Sequence, residues 1–579
     1  MKLEFIGADH EVTGSCHYLK VGTLNILVDF GMEQGRDVYE NTKLPVTPSE
    51  VDFVFITHAH IDHTGMLPKL YHDGFRGQII TTEPTMDLCD IMLRDSAHIQ
   101  TAEAEYRNKR LARKGIYQKI VPAYTMEDAM NVMKLFRSFK YNRKYQLCNG
   151  VEFRFTDVGH LLGSASIELW LTENKNGVAS GNPVGAPEGT VTKKIVFSGD
   201  IGNINQPLLR NPAYTTAADY VVMESTYGDR LHEKRDGDNK NAIAEIIRNT
   251  LLRGGNVVIP SFAVGRTQEM LYFIRKIKLE GQFPEMPDFP VYVDSPLAVQ
   301  ATEVFRDNGR MCYDEEASEF LRKGINPLVF PNLNMTITVD ESKAINNDDE
   351  PKVIIAASGM CDAGRIRHHL KYNLGRKECT ILFVGYQAEG TPGRALVEGT
   401  DSIHIFGDEI QVRAEILQLP GMSGHADKEG LINWINAFTE QKPSKVFVVH
   451  GDSEAADSFT ECLKNEYGYD SFAPYSGTIF DLKTGEFDSI TEGIPLRKTE
   501  MAAGEDYATK GGKTKSVGYT GMVVTNSYTK VRSALKELGS MVEQGVGLPN
   551  KELDALAKAM NELVSKYQVN NKNDQEGKQ

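Results

Sequence analysis

Short apolar runs alternate with polar loops up to about residue 210, and several of these runs share one feature: each ends at a residue able to bind a metal ion. Residues 51–56 (Val-Asp-Phe-Val-Phe-Ile) read as a buried strand and run into His58-Ala59-His60-Ile61-Asp62-His63. Residues 25–28 end at Asp29, the alternation over 151–155 leads to Asp157-Val158-Gly159-His160, and residues 194–197 lead to Ser198-Gly199-Asp200. Residues 445–449 end at His450 in the same way. Loops at the carboxyl ends of strands are where open α/β sheets place their chemistry.

From about residue 211 the rhythm becomes strand, loop, helix. Residues 256–259 lead into Pro260-Ser261-Phe262-Ala263-Val264-Gly265-Arg266, residues 352–357 into a Gly-rich loop over 358–365, and residues 380–384 into another over 385–394. Such units predict a parallel sheet. Met86, Leu88, Ile91 and Met92 at helical spacing predict a helix over 86–114 with a core-facing stripe. Residues 174–192, rich in Gly, Asn and Pro, predict a surface loop between two strands. The pattern divides the chain into a first part over 1–210, a strand–loop–helix part over 211–395, a linker over 496–526 and a helical extension over 527–579 that ends in a polar tail; the family resemblance given below makes 211–395 an inserted cap and 396–495 a return to the first domain. The apolar stripe of that extension (Leu535, Leu538, Val542, Leu556, Leu563) needs a partner surface, either the main body or a second subunit in a homodimer.

Composition changes this picture little. With 579 residues, 41% hydrophobic and 25% charged, the chain has the make-up of a soluble protein of several domains. No stretch approaches the roughly 20 apolar residues that span a membrane. Residues 1–6 open a strand with an acid in it and do not read as a signal peptide. The seven cysteines are scattered without a C-x-x-C pair, which predicts reduced thiols and a cytoplasmic setting. The net charge of −15 changes more. It opposes broad polyanion binding, so a nucleic-acid substrate would need a narrow basic channel. The basic clusters over 107–114 and 510–515 read as solvated surface or linker.

The His-rich run carries the chemistry. Three imidazoles and a carboxylate within six residues cannot all serve one tetrahedral ion. Residues two apart converge on one metal, and the Asp62-His63 pair reaches a second. Imidazole with carboxylate suits zinc and related divalent metals. The Gly-rich loops match neither a dinucleotide fingerprint nor a P-loop, which excludes nucleotide cofactors. Their backbone could still cradle a phosphate at a helix start, which makes Ser358, Gly359, Arg365 and Arg394 candidate substrate contacts.

The series Asp29, His58-x-His60-x-Asp62-His63, His160 and Asp200 resembles the metallo-β-lactamase superfamily. Glu224 in Met223-Glu224-Ser225-Thr226-Tyr227-Gly228, His425 in Ser423-Gly424-His425-Ala426-Asp427, and His450 in Val449-His450-Gly451 resemble the three motifs of its β-CASP branch, whose members process nucleic acid. The resemblance covers about residues 1–490. It implies an α/β fold, an αββα sandwich with an inserted β-CASP cap built on a parallel sheet, followed here by the C-terminal helical extension. It implies two Zn²⁺ ions, with Mn²⁺ the other option. His58, His60 and His160 would hold one ion, Asp62, His63 and His450 the other, and Asp200 would bridge them, with Asp29 orienting a ligand from behind. The catalytic set implied is Asp200, Asp62, His425 and Glu224, with His425 as acid or phosphate clamp and Glu224 keeping its imidazole charged.

The activity implied is hydrolysis of RNA, single-stranded and cut internally, through a hydroxide between two metals to leave 5′-phosphate and 3′-hydroxyl ends. His450 and the run Asp62-His63-Thr64-Gly65-Met66-Leu67-Pro68 resemble the polyadenylation-factor type more than ribonuclease J or the DNA-repair members. The alternatives are a 5′–3′ exoribonuclease or DNA nuclease of the same fold, a small-molecule metallo-hydrolase, and a non-catalytic RNA-binding scaffold. The cap and the complete motif set argue against the last two.

Overall fold

In a computed structural model of the chain, the described residues are 1–34, 38–113, 115–116, 119–174, 190–232, 239–419, 422–496 and 558. The expected linker, the body of the C-terminal extension and the basic cluster over 510–515 lie outside them, as does most of the 174–192 loop. The chain forms two units, over 1–506 and 507–579, and the sheets, the cap and the expected metal ligands all lie in the first.

Among the described residues, two large sheets face each other. The first has eight strands in the order Glu486–Ser489, Ile479–Asp481, Lys2–Gly7, Cys16–Val21, Leu24–Val28, Phe53–Phe55, Gln78–Thr82, Phe136–Phe139. The second has seven, in the order Ser471–Phe472, Lys445–Val449, Tyr220–Glu224, Val191–Phe197, Ala165–Glu173, Val151–Asp157, Tyr145–Cys148. Alternate residues of both pack face to face: Leu3, Phe5, Val28, Phe55, Phe155, Ile167, Phe197 and Phe447 belong to one buried cluster. Period-2 alternation puts those side chains on the inner faces. The outer face of the second sheet is covered by the helices Lys428–Asn436 and Ser453–Asn465, the first of which buries its Trp434.

The expected helix over 86–114 is Glu83–Arg113, and Leu88 and Met92 are in its buried face. Within the basic cluster on its distal end, Arg107 pairs with Glu103 and Lys109 with Glu105, all exposed.

The cap is a six-stranded sheet in the order Leu333–Thr336, Val291–Asp294, Val353–Ala356, Val257–Pro260, Thr380–Phe383, Glu415–Gln418, and every pairing in it is parallel. Both expected cap boundaries move. Residue 211 is too early, because Tyr220–Glu224 pairs in parallel with Val191–Phe197 and Lys445–Val449 inside the sandwich. Residue 395 is too early as well, because Glu415–Gln418 forms the edge of the cap sheet beside Thr380–Phe383. An apolar run records that a strand is buried. It does not record which sheet receives it. Among the described residues no helix is long and apolar enough to cross a membrane.

Candidate metal centre

Register decides what meets at the mouth of the sandwich. Val449 lies opposite Glu224, and Phe197 opposite Val222, on three adjacent parallel strands. Their carboxyl ends therefore present His450, Glu224 and Asp200 side by side. The facing sheet delivers the His-rich loop after Phe53–Phe55. That loop is clamped by its neighbours' backbone: Ser15 N–H donates to Asp62 O at 2.8 Å, Phe30 N–H to His63 O at 2.8 Å and Met32 N–H to Ile61 O at 2.9 Å. Gly31 makes the clamp possible, since a Cβ there would fall 1.6 Å from the Asp62 carbonyl oxygen.

Three groups of potential metal ligands result among the described residues: the two expected ones, and a third of Asp200, Glu224 and His425 that shares Asp200 with the first. His58, His60, His160 and Asp200 offer atoms that all lie within 4.8 Å of one another, as do Asp62, His63 and His450. In the first, His58 Nε2 is 3.0 Å from His60 Nδ1, His60 Nδ1 is 3.2 Å from His160 Nε2, and Asp200 Oδ2 is 3.4 Å from His58 Nε2. In the second, His63 Nε2 is 3.1 Å from His450 Nε2, and His450 Nε2 is 3.6 Å from Asp62 Oδ2. Asp200 reaches both, its Oδ1 lying 3.3 Å from His63 Nε2.

The donor set fits divalent metal. Ligand atoms on a zinc tetrahedron with arms of about 2.05 Å are about 3.3 Å apart, close to the spacing seen. Asp200 Oδ1 is buried and has no hydrogen-bond partner, a costly state that a cation relieves. Burial, and after it the charge of a neighbouring imidazole, holds His58 and His160 well below the usual histidine range. They stay neutral, the form that ligates metal.

A supporting layer orients the ligands. Asp29 Oδ2 accepts from His63 Nδ1 at 2.7 Å and from the Thr57 hydroxyl at 2.8 Å, while its Oδ1 accepts from Thr57 N–H at 2.9 Å. The Gly424 carbonyl lies 3.2 Å from His160 Nδ1, and the Thr226 hydroxyl 3.2 Å from His450 Nδ1. Each contact leaves the other ring nitrogen for the cluster. Thr57, Thr226 and the Gly424 carbonyl were not marked by the sequence, because a hydroxyl or carbonyl beside a ligand carries no spacing signal of its own. His17 is buried beside this layer with its ring stacked on Phe197 at 5.8 Å. Burial, then the charges of His63 and His450, pushes its imidazole down to about 3.

His425 stands apart from the two expected clusters and belongs to the third group. Its Nδ1 lies 3.2 Å from Glu224 Oε2 and 3.3 Å from Oε1, and its Nε2 is 3.9 Å from Asp200 Oδ2. Glu224 is buried and also accepts from the N–H groups of Ile201 and Thr226. Burial alone would lower the His425 value, but the Glu224 charge and hydrogen bond outweigh it, with Asp200 and Asp62 behind them, and raise it to about 9. His425 has 22% of its side chain exposed, whereas Glu224 and Asp200 are sealed. His232, also missed from sequence, lies with Nε2 2.9 Å from the His425 carbonyl oxygen and steadies that loop.

The four cap candidates are placed differently. Arg365 donates to Asp294 Oδ1 at 2.7 Å, and Asp294 is fully buried, taking His369 Nε2 at 2.7 Å on its other oxygen. Its second guanidinium nitrogen donates to the Ile337 carbonyl. Ser358 donates to Asp362, Arg394 to Glu398 at 2.6 Å on the surface, and the Gly359 backbone backs onto Phe262. The structure does not bring these four to the metal clusters as free groups.

Three domain models match the chain: Metallo-beta-lactamase superfamily domain over residues 18–176, Beta-Casp domain over 267–396, and Zn-dependent metallo-hydrolase RNA specificity domain over 409–474. "Ribonuclease TTHA0252" of Thermus thermophilus is 34% identical over 455 residues, 78% of this chain and 94% of that protein. An "RNase J-like protein" of Methanocaldococcus jannaschii is 31% identical over 83% of this chain and 99% of its own length. "Transcription termination factor FttA" of the same organism is 27% identical over 82% of this chain and 70% of its own length. With the sandwich, the inserted parallel cap and the His/Asp clusters already in place, these similarities show that the chain belongs to the β-CASP branch of the metallo-β-lactamase superfamily.

Proposed function

We propose that this protein is a metal-dependent ribonuclease that cuts single-stranded RNA internally and leaves 5′-phosphate and 3′-hydroxyl ends. The observation that carries the reading is the His425–Glu224 pair at the open edge of two ligand clusters that share Asp200. A small-molecule hydrolase with the same clusters has no evident use for it.

His58, His60 and His160 would hold one divalent ion and Asp62, His63 and His450 a second, with Asp200 between them. Two such ions supply Lewis acidity to a phosphodiester oxygen and a water whose pKa falls to about 7. The chain's own groups do the rest. Glu224 accepts the Nδ1–H of His425 and keeps the imidazole charged. The Nε2–H then faces the cleft beside Asp200, where it donates its proton to the departing ribose 3′-oxygen. Asp29, Thr57, Thr226 and the Gly424 carbonyl keep the ligand imidazoles aimed. Burial of the clusters limits stray water and strengthens each charge interaction.

The test is cleavage of a 5′-labelled single-stranded RNA by metal-loaded protein, with His425→Ala and Asp200→Ala alongside. Internal fragments ending in 3′-hydroxyl, lost in both variants, are expected. Release of only the labelled mononucleotide would make the protein a 5′-exonuclease, and a 2′,3′-cyclic phosphate end would overturn water as the nucleophile.

A further inference from the structure

Two exposed aromatic rings at the carboxyl edge of the cap sheet have no part in holding metal or moving the proton. Phe262 follows Val257–Pro260, and Tyr386 follows Thr380–Phe383. Those strands are parallel neighbours, Val257 opposite Thr380, so the two loops that carry the rings leave the same edge of the cap sheet. Phe262 is 51% exposed and Tyr386 55%. Both therefore offer an apolar face to solvent at this edge of the cap sheet.

Both rings belong to the mouth of the metal centre. The Phe262 loop leans on its loops: a Cβ on Gly265 would sit 3.2 Å from Leu161 Cδ1, next to His160, and the Arg266 guanidinium donates to the Met422 carbonyl, three residues before His425. Tyr386 is near enough to Tyr227 to add to the upward shift that burial imposes on that hydroxyl, and the Tyr227 ring is 6.2 Å from the His425 ring. The Phe262 ring is backed by protein, and the Tyr386 backbone is tied to the same loop. A Cβ on Gly359 would meet Phe262 N at 3.3 Å and Cδ2 at 3.4 Å, so the ring backs onto bare glycine backbone. The Gln387 amide donates to the Gly359 carbonyl at 3.1 Å and the Tyr386 carbonyl at 3.0 Å, tying the two loops together.

Among the described residues, Arg266 pairs with Glu269 and Arg365 with buried Asp294, while the more exposed Arg230 and Arg394 pair with Asp229 and Glu398, and the chain as a whole carries −15. A strand held here cannot be gripped chiefly by its phosphates. Bases offer the other handle, because every base has a face that stacks on an aromatic ring.

We propose that Phe262 and Tyr386 form a stacking platform for two nucleobases beside the scissile phosphate. The proposal rests on the ribonuclease reading and deepens it: the platform holds a single strand by its unstacked bases. A duplex keeps its bases stacked on each other and presents its backbone and base edges, not the base faces.

The test uses metal-loaded protein and a single-stranded oligoribonucleotide carrying 2-aminopurine near the cleavage site. Fluorescence is followed by stopped flow within the first turnover, and steady-state KM and kcat are measured on the same strand. Phe262→Ala and Tyr386→Ala are each expected to raise KM by about five-fold or more, with a smaller effect on kcat, and to remove part of the fluorescence quench. Phe262→Tyr and Tyr386→Phe keep the faces and should restore both readouts. A strand abasic at the same positions should show a raised KM that the alanine variants do not change further.

Unchanged KM and quench in both alanine variants would overturn the platform. So would an equal loss on the abasic strand, since the rings would then act by shaping the loops. If the wild type binds and quenches but cuts no RNA, the ribonuclease reading fails while the platform survives as a base-binding surface.

Discussion

Glu224 and His425 are 201 residues apart in the chain, yet a carboxylate oxygen of one lies 3.2 Å from the ring Nδ1 of the other. Glu224 closes a central strand of the sandwich, and His425 arrives on the segment that returns from the cap. The Glu224 charge outweighs burial and keeps the imidazole protonated at neutral pH, up to about 9. Glu224→Gln removes that charge but keeps the shape. It should lower kcat by about 10²-fold or more, the usual range for a positioned proton donor. It should also move the alkaline limb of the kcat profile to lower pH, because the donating form is then lost earlier. A limb that stays in place would remove Glu224 from this role.

Asp29 meets His63 at 2.7 Å and is buried behind it. Asp29→Asn keeps the size and removes the charge that fixes the ring. Metal affinity should fall by about 10–100-fold, as for other groups that orient a ligand imidazole. Competition with a coloured chelator reads this directly. Thr57→Val, which removes the hydroxyl that donates to Asp29, should lose less.

Asp157 gives a stability prediction with a definite sign. It is buried, its Oδ2 has no partner and its Oδ1 accepts only from Gly159 N–H at 2.9 Å. Burial, only partly offset by that bond and by Arg210, raises its value from 3.8 to about 7. A raised value means that the folded state holds the proton more tightly than the unfolded one. The contribution is complete below about pH 4 and is lost as pH climbs to about 7. Urea midpoints of wild type and Asp157→Asn, compared at pH 4.5 and pH 8, should show the variant gaining relative stability at the higher pH. A constant difference would mean the carboxyl stays ionised throughout.

Salt offers an independent view of how the strand is held. With Arg266 and Arg365 engaged by Glu269 and Asp294, few phosphates should be neutralised at the mouth. Log KM should rise with log salt at a slope that corresponds to no more than about three phosphate contacts, roughly +2 for a single strand. A much steeper slope would place a basic groove elsewhere on the protein.

Part of this protein was legible in the sequence. His58, His60, Asp62 and His63 lie within one strand-end loop, so their convergence is local and depends only on spacing. Strands ending at Asp29, His160, Asp200 and His450 could be read from the apolar runs that precede them, and the parallel cap from its strand–loop–helix rhythm. Tertiary structure decided what no local pattern carries. Strand pairing placed Tyr220–Glu224 in the sandwich and Glu415–Gln418 in the cap, since an apolar run is equally at home in either sheet. Long-range packing set Thr57, Thr226 and the Gly424 carbonyl behind the ligands and brought His232 to the His425 carbonyl. It also gave Arg365 to buried Asp294 when its loop alone suggested a phosphate. A residue's type limits which bonds it is able to make, and which of them it makes depends on the groups that folding brings within about 3 Å.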